Sequence, residues 1–181
     1  VLDMHAKEGA PVIVVEPGAC VGPGDRKPTF TGKLIIDVIR GRMPGYFEMR
    51  HNFVDVRDVA EGHLLALEKG RLGQRYLLCG DDDMLLGDYF ALISELTGAP
   101  PVRMKVPLWI AFPLALAGHV LWRATGIDPM VRLSTVKRAR LDLRYTNAKA
   151  RSELGFAPRP LRTALRDGIA WFLENAMLLA T

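Results

Sequence analysis

Apolar and polar positions alternate between two periods along this chain. Residues 2–8 have helical character, and Gly9 is a natural stop. Val12, Ile13, Val14 and Val15 follow as an unbroken β-branched run, the pattern of a strand buried on both faces in a parallel sheet. Helix, glycine stop and buried strand make half of a βαβ unit. A loop rich in Gly and Pro runs from Pro17 to Pro28. A helix is expected over 31–40, with Leu34, Ile35, Val38 and Ile39 on one face and Gly41 closing it. A strand is expected over 53–56, then a helix over 59–69 capped by Asp58, a strand over 75–79 and a helix over 88–97 stopping at Gly98. The stretch 106–122 is strongly apolar but interrupted by Pro107, Pro113 and Gly118. It is short for a bilayer span, which needs about 20 residues, and reads as two packed helical pieces lining a pocket. Helices over 147–154, with Asn147 as N-cap, and over 161–179 end the chain, and no internal repeat or linker marks independent domains.

Composition adds little to this picture. The chain has 181 residues, 49% hydrophobic and 24% charged, which is ordinary globular usage and excludes disorder. A net charge of +4 is mild. The basic residues concentrate late, in Arg132, Lys137, Arg138, Arg140, Arg144, Lys149 and Arg151, without the interleaved aromatics that stack on bases. No nucleic-acid partner is expected; a solvated basic face, or one drawing an anionic substrate, is. Cys20 and Cys79 lie far apart, and His5, His51, His63 and His119 are scattered, so neither type suggests a metal site and reduced thiols in a cytoplasmic protein are expected.

Two motifs imitate chemistry. Gly18, Gly22 and Gly24 form a Gly-x-x-x-Gly-x-Gly pattern after a strand. A dinucleotide loop must open directly into a helix that holds the pyrophosphate, and here Pro28 keeps Lys27 out of helix. Tyr145 and Lys149 form a Tyr-x-x-x-Lys pair with Ser134 upstream. That pair works when a helix holds the hydroxyl and the lysine lowers its pKa, whereas Asn147 as cap leaves Tyr145 outside the helix. Neither is read as functional.

Four stretches in order carry a family resemblance: Pro11–Pro17 with Val21-Gly22-Pro23-Gly24-Asp25; Gly41 to Pro44; Asn52 through Asp58 to His63 and the helix beyond; and Tyr145 through Lys149, Leu154 and Gly155 to Pro158, ending with the helix around Trp171. Together they resemble the extended short-chain dehydrogenase/reductases, or NAD-dependent epimerase/dehydratases, with hopanoid-associated sugar epimerases and dihydroflavonol-reductase-like enzymes the nearest in pattern. The resemblance implies an α/β fold: the C-terminal part of a Rossmann-type doubly wound parallel sheet plus a mostly helical substrate-binding lobe. It places 1–28 and about 51–80 in the sheet, and about 29–50 and 81–181 in the lobe, as a single incomplete unit. The family's catalytic Tyr-x-x-x-Lys and its Gly-rich loop would lie upstream of Val1, so no catalytic residue is assigned within the chain.

The resemblance further implies NAD or NADP as cofactor, with Pro17, Gly18, Ala19 and Val21 on the nicotinamide side, because ligands sit beyond the carboxyl ends of parallel strands. Phe30, Lys33, Phe47 and Asn52 match the substrate wall. The substrate would be a small molecule, a nucleotide sugar or another secondary alcohol or ketone, and a homodimer is compatible with it. Asp55 stands where relatives often have His, and Arg57 where they often have Asp; Asp58 is read as a cap rather than a catalytic acid. The leading reading is the substrate-binding part of a reductase or epimerase, inactive alone. Its alternatives are a non-catalytic remnant or binding module, and a protein that contacts a membrane surface through 106–122.

Overall fold

A computed structural model describes residues 2–81, 83–126, 133–141 and 143–175. The order is α1 (Leu2–Glu8), β1 (Val14–Pro17), β2 (Ala19–Val21), α2 (Phe30–Ile39), β3 (Arg50–Asp55), α3 (Val56–Lys69), β4 (Arg75–Leu78), β5 (Asp83–Leu85), α4 (Leu86–Thr97), α5 (Leu108–Thr125), α6 (Leu133–Ala139), α7 (Ala148–Leu154) and α8 (Leu161–Glu174). The chain divides into two compact units. One comprises 1–36, 52–83 and 145–181, the other 37–51 and 84–144. Helices α7 and α8 thus belong with the strands of the first unit, where the family resemblance placed about 29–50 and 81–181 in the lobe. The reason is apolar: Ala150, Leu154 and Phe156 are buried in one cluster with Val54, Val59, Tyr76 and Leu78.

In the first unit β1 pairs in parallel with β4, Val14 opposite Arg75 and Pro17 opposite Leu78. β2 pairs in parallel with β3, Ala19 opposite Phe53 and Val21 opposite Asp55; the second sheet has the strand order β2-β3-β5. Parallel neighbours need a crossover between them, and α2 lies on the one from β2 to β3. Two expectations change here. The first strand is displaced toward Pro17, and Val14, Val15 and Glu16 are only half-buried while Pro17 is exposed. Among the described residues β4 is the one strand paired to it, so its hydrophobic run is not enclosed on both sides. Second, the Gly- and Pro-rich stretch contains a strand, since Ala19–Val21 finds a parallel ladder on β3.

Capping also differs. Asp55, not Asp58, caps α3: its side chain accepts from the Arg57 backbone N–H at 2.8 Å, and Asp58 falls in the first turn, buried. Asn147 occupies the N-cap position of α7 without capping through its side chain; the Thr146 hydroxyl accepts from the Ala148 N–H instead. The expected end of α8 beyond residue 175 lies outside the described residues.

The second unit is mostly helical. Residues 108–125 form one helix rather than two pieces, with Pro113 inside it. Proline costs a single helical hydrogen bond, here the one to the Trp109 carbonyl, and apolar packing on either side carries the helix through. Ala111 and Ala115 are buried against Val136 of α6, with Phe47, Val106, Leu108, Phe112 and Leu133 around them. No helix among the described residues is long and apolar enough to cross a membrane.

Candidate cofactor and substrate site

The carboxyl ends of β1 and β4 and the middle of β3 press three backbones together in the first unit. The Gly18 N–H donates to the Leu78 carbonyl at 2.9 Å. A Cβ on Gly18 would lie 3.0 Å from the Asn52 carbonyl oxygen, and one on Gly80 would collide with the Phe53 carbonyl. Both positions therefore need glycine for close approach rather than for a turn. The buried Asn52 amide locks this junction: its Oδ1 accepts from the Gly80 N–H at 2.6 Å, and its Nδ2 donates to the Gly80 carbonyl and to Asp83 Oδ1, each at 3.1 Å. A second buried amide, Asn147, donates from Nδ2 to the Cys79 carbonyl and to Asp81 Oδ1, each at 2.9 Å. Every polar atom of Asn52 is thus engaged by protein, which makes it a clamp behind the strand ends.

The remaining sequence-predicted residues separate by surroundings. Pro17 is exposed at the strand end, Gly18 and Ala19 are half-buried, and Val21 is buried in the core. Phe30 and Lys33 are exposed on the first turn of α2, Phe30 at 63%. Phe47 belongs to the second unit, where it packs beside Ala111 and Val136.

Neither imitative motif has the geometry its chemistry needs. After Gly24 the chain turns and α2 begins only at Phe30. There the Asp25 carboxylate accepts from the Thr29 N–H at 2.9 and 3.0 Å and from its hydroxyl at 2.9 Å. An anion of the protein's own already stands where a pyrophosphate would have to be. Tyr145 precedes α7, its backbone N–H donating to Asp83 Oδ2. Lys149 donates to Gln74 Oε1 at 2.6 Å and sits 5.0 Å over the Tyr76 ring.

A charged network was not foreseen. Asp55, with a side chain fully withdrawn from solvent, accepts from Arg57 Nε at 3.0 Å and Nη2 at 2.6 Å, and Arg57 reaches on to Asp167 at 2.6 Å. Asp58 accepts from the Arg159 backbone N–H at 2.7 Å and pairs with its guanidinium at 2.9 Å. Burial alone would raise the Asp55 carboxyl. Hydrogen bonds from Arg57 and the charges of Arg57 and Arg159 outweigh it and hold the group below the usual aspartate range. For Asp58 burial wins over Arg159 and the carboxyl is raised. The sequence signal was the odd pair Asp55 and Arg57; their partners lie more than 100 residues further on. Cys79 is a buried free thiol, pushed up to about 11 by burial and by Asp83 and Asp81. The described residues hold no cluster of His, Cys, Asp and Glu suited to a metal.

Residues 1–79 match the family described as NAD dependent epimerase/dehydratase. A Synechocystis relative named for dihydroflavonol 4-reductase is 36% identical over 174 residues, covering 94% of this chain and 50% of the relative. The chain belongs to the NAD-dependent epimerase/dehydratase family. The crystal structure of gox2253 shares 42% identity with this family member at a TM-score of 0.80, over 96% of this chain and 52% of that one. A nucleoside-diphosphate-sugar epimerase from Pseudomonas aeruginosa shares 32% at a TM-score of 0.76, over 94% of this chain and 50% of that one. These likenesses make the parallel α/β fold of this chain Rossmann-type. The chain spans about half the length of the relatives it matches.

Proposed function

We propose that this chain is the C-terminal, substrate-binding part of an NAD(P)-dependent reductase or sugar epimerase that acts on a secondary alcohol or ketone and has no turnover by itself. The observation that carries the reading is the packed junction of Gly18, Asn52 and Gly80 at the ends of parallel strands, in a member of a family described by its use of NAD. Ligands of open parallel sheets lie beyond such ends.

The residues fit one end of the cofactor only. Pro17 offers an exposed apolar ring, Gly18 has no side chain, and Ala19 adds a methyl, which together suit the edge of a nicotinamide. Val21 is buried and acts as backing from behind them. The N-terminus of α2 is taken by the Asp25 carboxylate, so the pyrophosphate half of the cofactor would be bound by residues outside this chain. When bound, the nicotinamide accepts or donates the hydride. The Asn52 clamp fixes the strand ends against which it rests, and the acid/base groups belong upstream. Lys33 is an exposed cation on α2, suited to the diphosphate of a nucleotide sugar, with Phe30 beside it as an apolar contact.

The test is a turnover assay with NADH and NADPH on the natural full-length protein and on this chain alone. Activity is expected from the first and none from the second; turnover by this chain alone sinks the reading, and inactivity of both favours a binding module. In the full-length protein, Lys33→Ala is expected to raise KM for an anionic substrate about tenfold with kcat nearly unchanged, the mark of lost uniform binding.

A further inference from the structure

Helix α5 is built inside out for a helix facing water. Its buried face carries small residues, Ala111 and Ala115, at 3% and 1% exposure. Its outward face carries the large ones: Trp109 is 74% exposed, and Leu114, Leu116, Val120 and Leu121 are all exposed. An open apolar groove runs along it between Pro113, Leu116, Ala117, Val120 and Leu121. At 100° per residue the arc from Leu116 round to Leu114 contains no polar side chain. A surface helix normally turns charged residues outward and apolar ones inward, and an exposed continuous patch of this kind marks a binding surface.

Charge decides what binds there. Residues 103–144 hold eight Lys or Arg against two Asp, a net charge of +6 in a chain whose total is +4. Helix α6, packed against α5, exposes Lys137 and Arg138, and Arg123 lies exposed in the last turn of α5. A second copy docking face to face would bring two such basic regions together, whereas an anionic surface neutralises them. Trp109 stands on this outward face near the start of the helix, and tryptophan favours the boundary between headgroups and acyl chains. The helix does not qualify as a membrane span. We propose that α5 is an interfacial helix that lies in the plane of an anionic membrane, its Trp and Leu side chains inserted among the lipids and the basic side chains around it on the headgroups.

The experiment uses the natural full-length protein and sucrose-loaded vesicles of phosphatidylcholine, with or without phosphatidylglycerol. Sedimentation with the anionic vesicles is expected to exceed that with neutral ones about tenfold and to weaken as salt is added. The combined variant W109S/L114S/L121S changes only exposed side chains, so it is expected to keep its circular dichroism and Tm while losing vesicle binding about tenfold or more. Absence of binding to anionic vesicles overturns the proposal, as does a triple variant that binds as well as the parent. A triple variant that turns a dimer into a monomer without changing vesicle binding overturns it too, and assigns the face to a second copy. None of these readouts uses turnover, so the proposal stands or falls apart from the catalytic reading.

Discussion

Asp55 shows how one side chain couples a strand end to a distant helix. Its carboxylate caps α3, holds Arg57 with two further hydrogen bonds, and through Arg57 reaches Asp167 on α8. A charge this buried is tolerated because both of its oxygens meet donors, and removing one partner is costly for the same reason. Because its folded pKa lies below that of the unfolded chain, its stabilisation is present above the ordinary aspartate value of about 3.9 and is lost as pH falls through the lower folded value. Asp58 runs the opposite way: its raised carboxyl favours the folded state below the ordinary value, and that contribution is lost as pH rises through the folded pKa. The variant Asp55→Asn should therefore lose about 2 kcal/mol at neutral pH, and its stability should fall less than the parent's on acidification below about pH 5. Urea unfolding followed across pH measures both; a parallel acid limb in parent and variant would remove Asp55 from the account. Asn52 illustrates a different point, since the family resemblance implied a substrate contact, while burial turned both ends of its side-chain amide inward.

At the scale of elements, the contacts that set positions are made by missing side chains. Gly168 lies within α8, and a Cβ there would sit 3.2 Å from both the carbonyl carbon and oxygen of Gly22. Backbone cannot move aside as the tip of a side chain can, so α8 packs where it does because position 168 is glycine. Alanine would gain about 1 kcal/mol of helix propensity and lose more to overpacking, which costs about 1–3 kcal/mol. Gly168→Ala is expected to lower stability by about 1 kcal/mol and Gly168→Val by more, measured by thermal unfolding; an unchanged or raised Tm in both would show that α8 is not held by this approach. The neighbouring elements were largely readable, because α2, α3, α4 and β4 each carry a clear period and a glycine or acid at the right end. The helix α5 was not, because its prolines and its apolar composition on every side leave no period to read. Its continuity through Pro113 came from packing on α6.

The whole molecule has a sheet whose first strand is only partly enclosed. β1 carries an apolar run of the kind found in the middle of parallel sheets, yet its residues are half-buried and β4 is the strand paired to it among the described residues. If the proposed full-length enzyme continues this sheet, the backbone amide of Val15, which points away from β4 while that of Val14 donates to the Gln74 carbonyl, should exchange hydrogen at least about tenfold more slowly in it than in the isolated chain, since exchange follows the local opening free energy. Equal rates in the two would mean that no further strand covers β1.

The sequence by itself determined the local elements and the family, because hydrophobic period, glycine stops and the order of short motifs are all encoded within a few residues of one another. It also showed that the Gly-rich and Tyr-x-x-x-Lys patterns lack the helix each needs, a fact of neighbouring residues. Only the tertiary structure decided that α7 and α8 join the strands, that Asp58 is engaged by Arg159, that Asn52 is a clamp, and that α5 turns its large apolar side chains outward. Each of those depends on partners brought from far along the chain or on which face is left uncovered, and neither a partner 100 residues away nor the side of a helix left in water is written in local spacing.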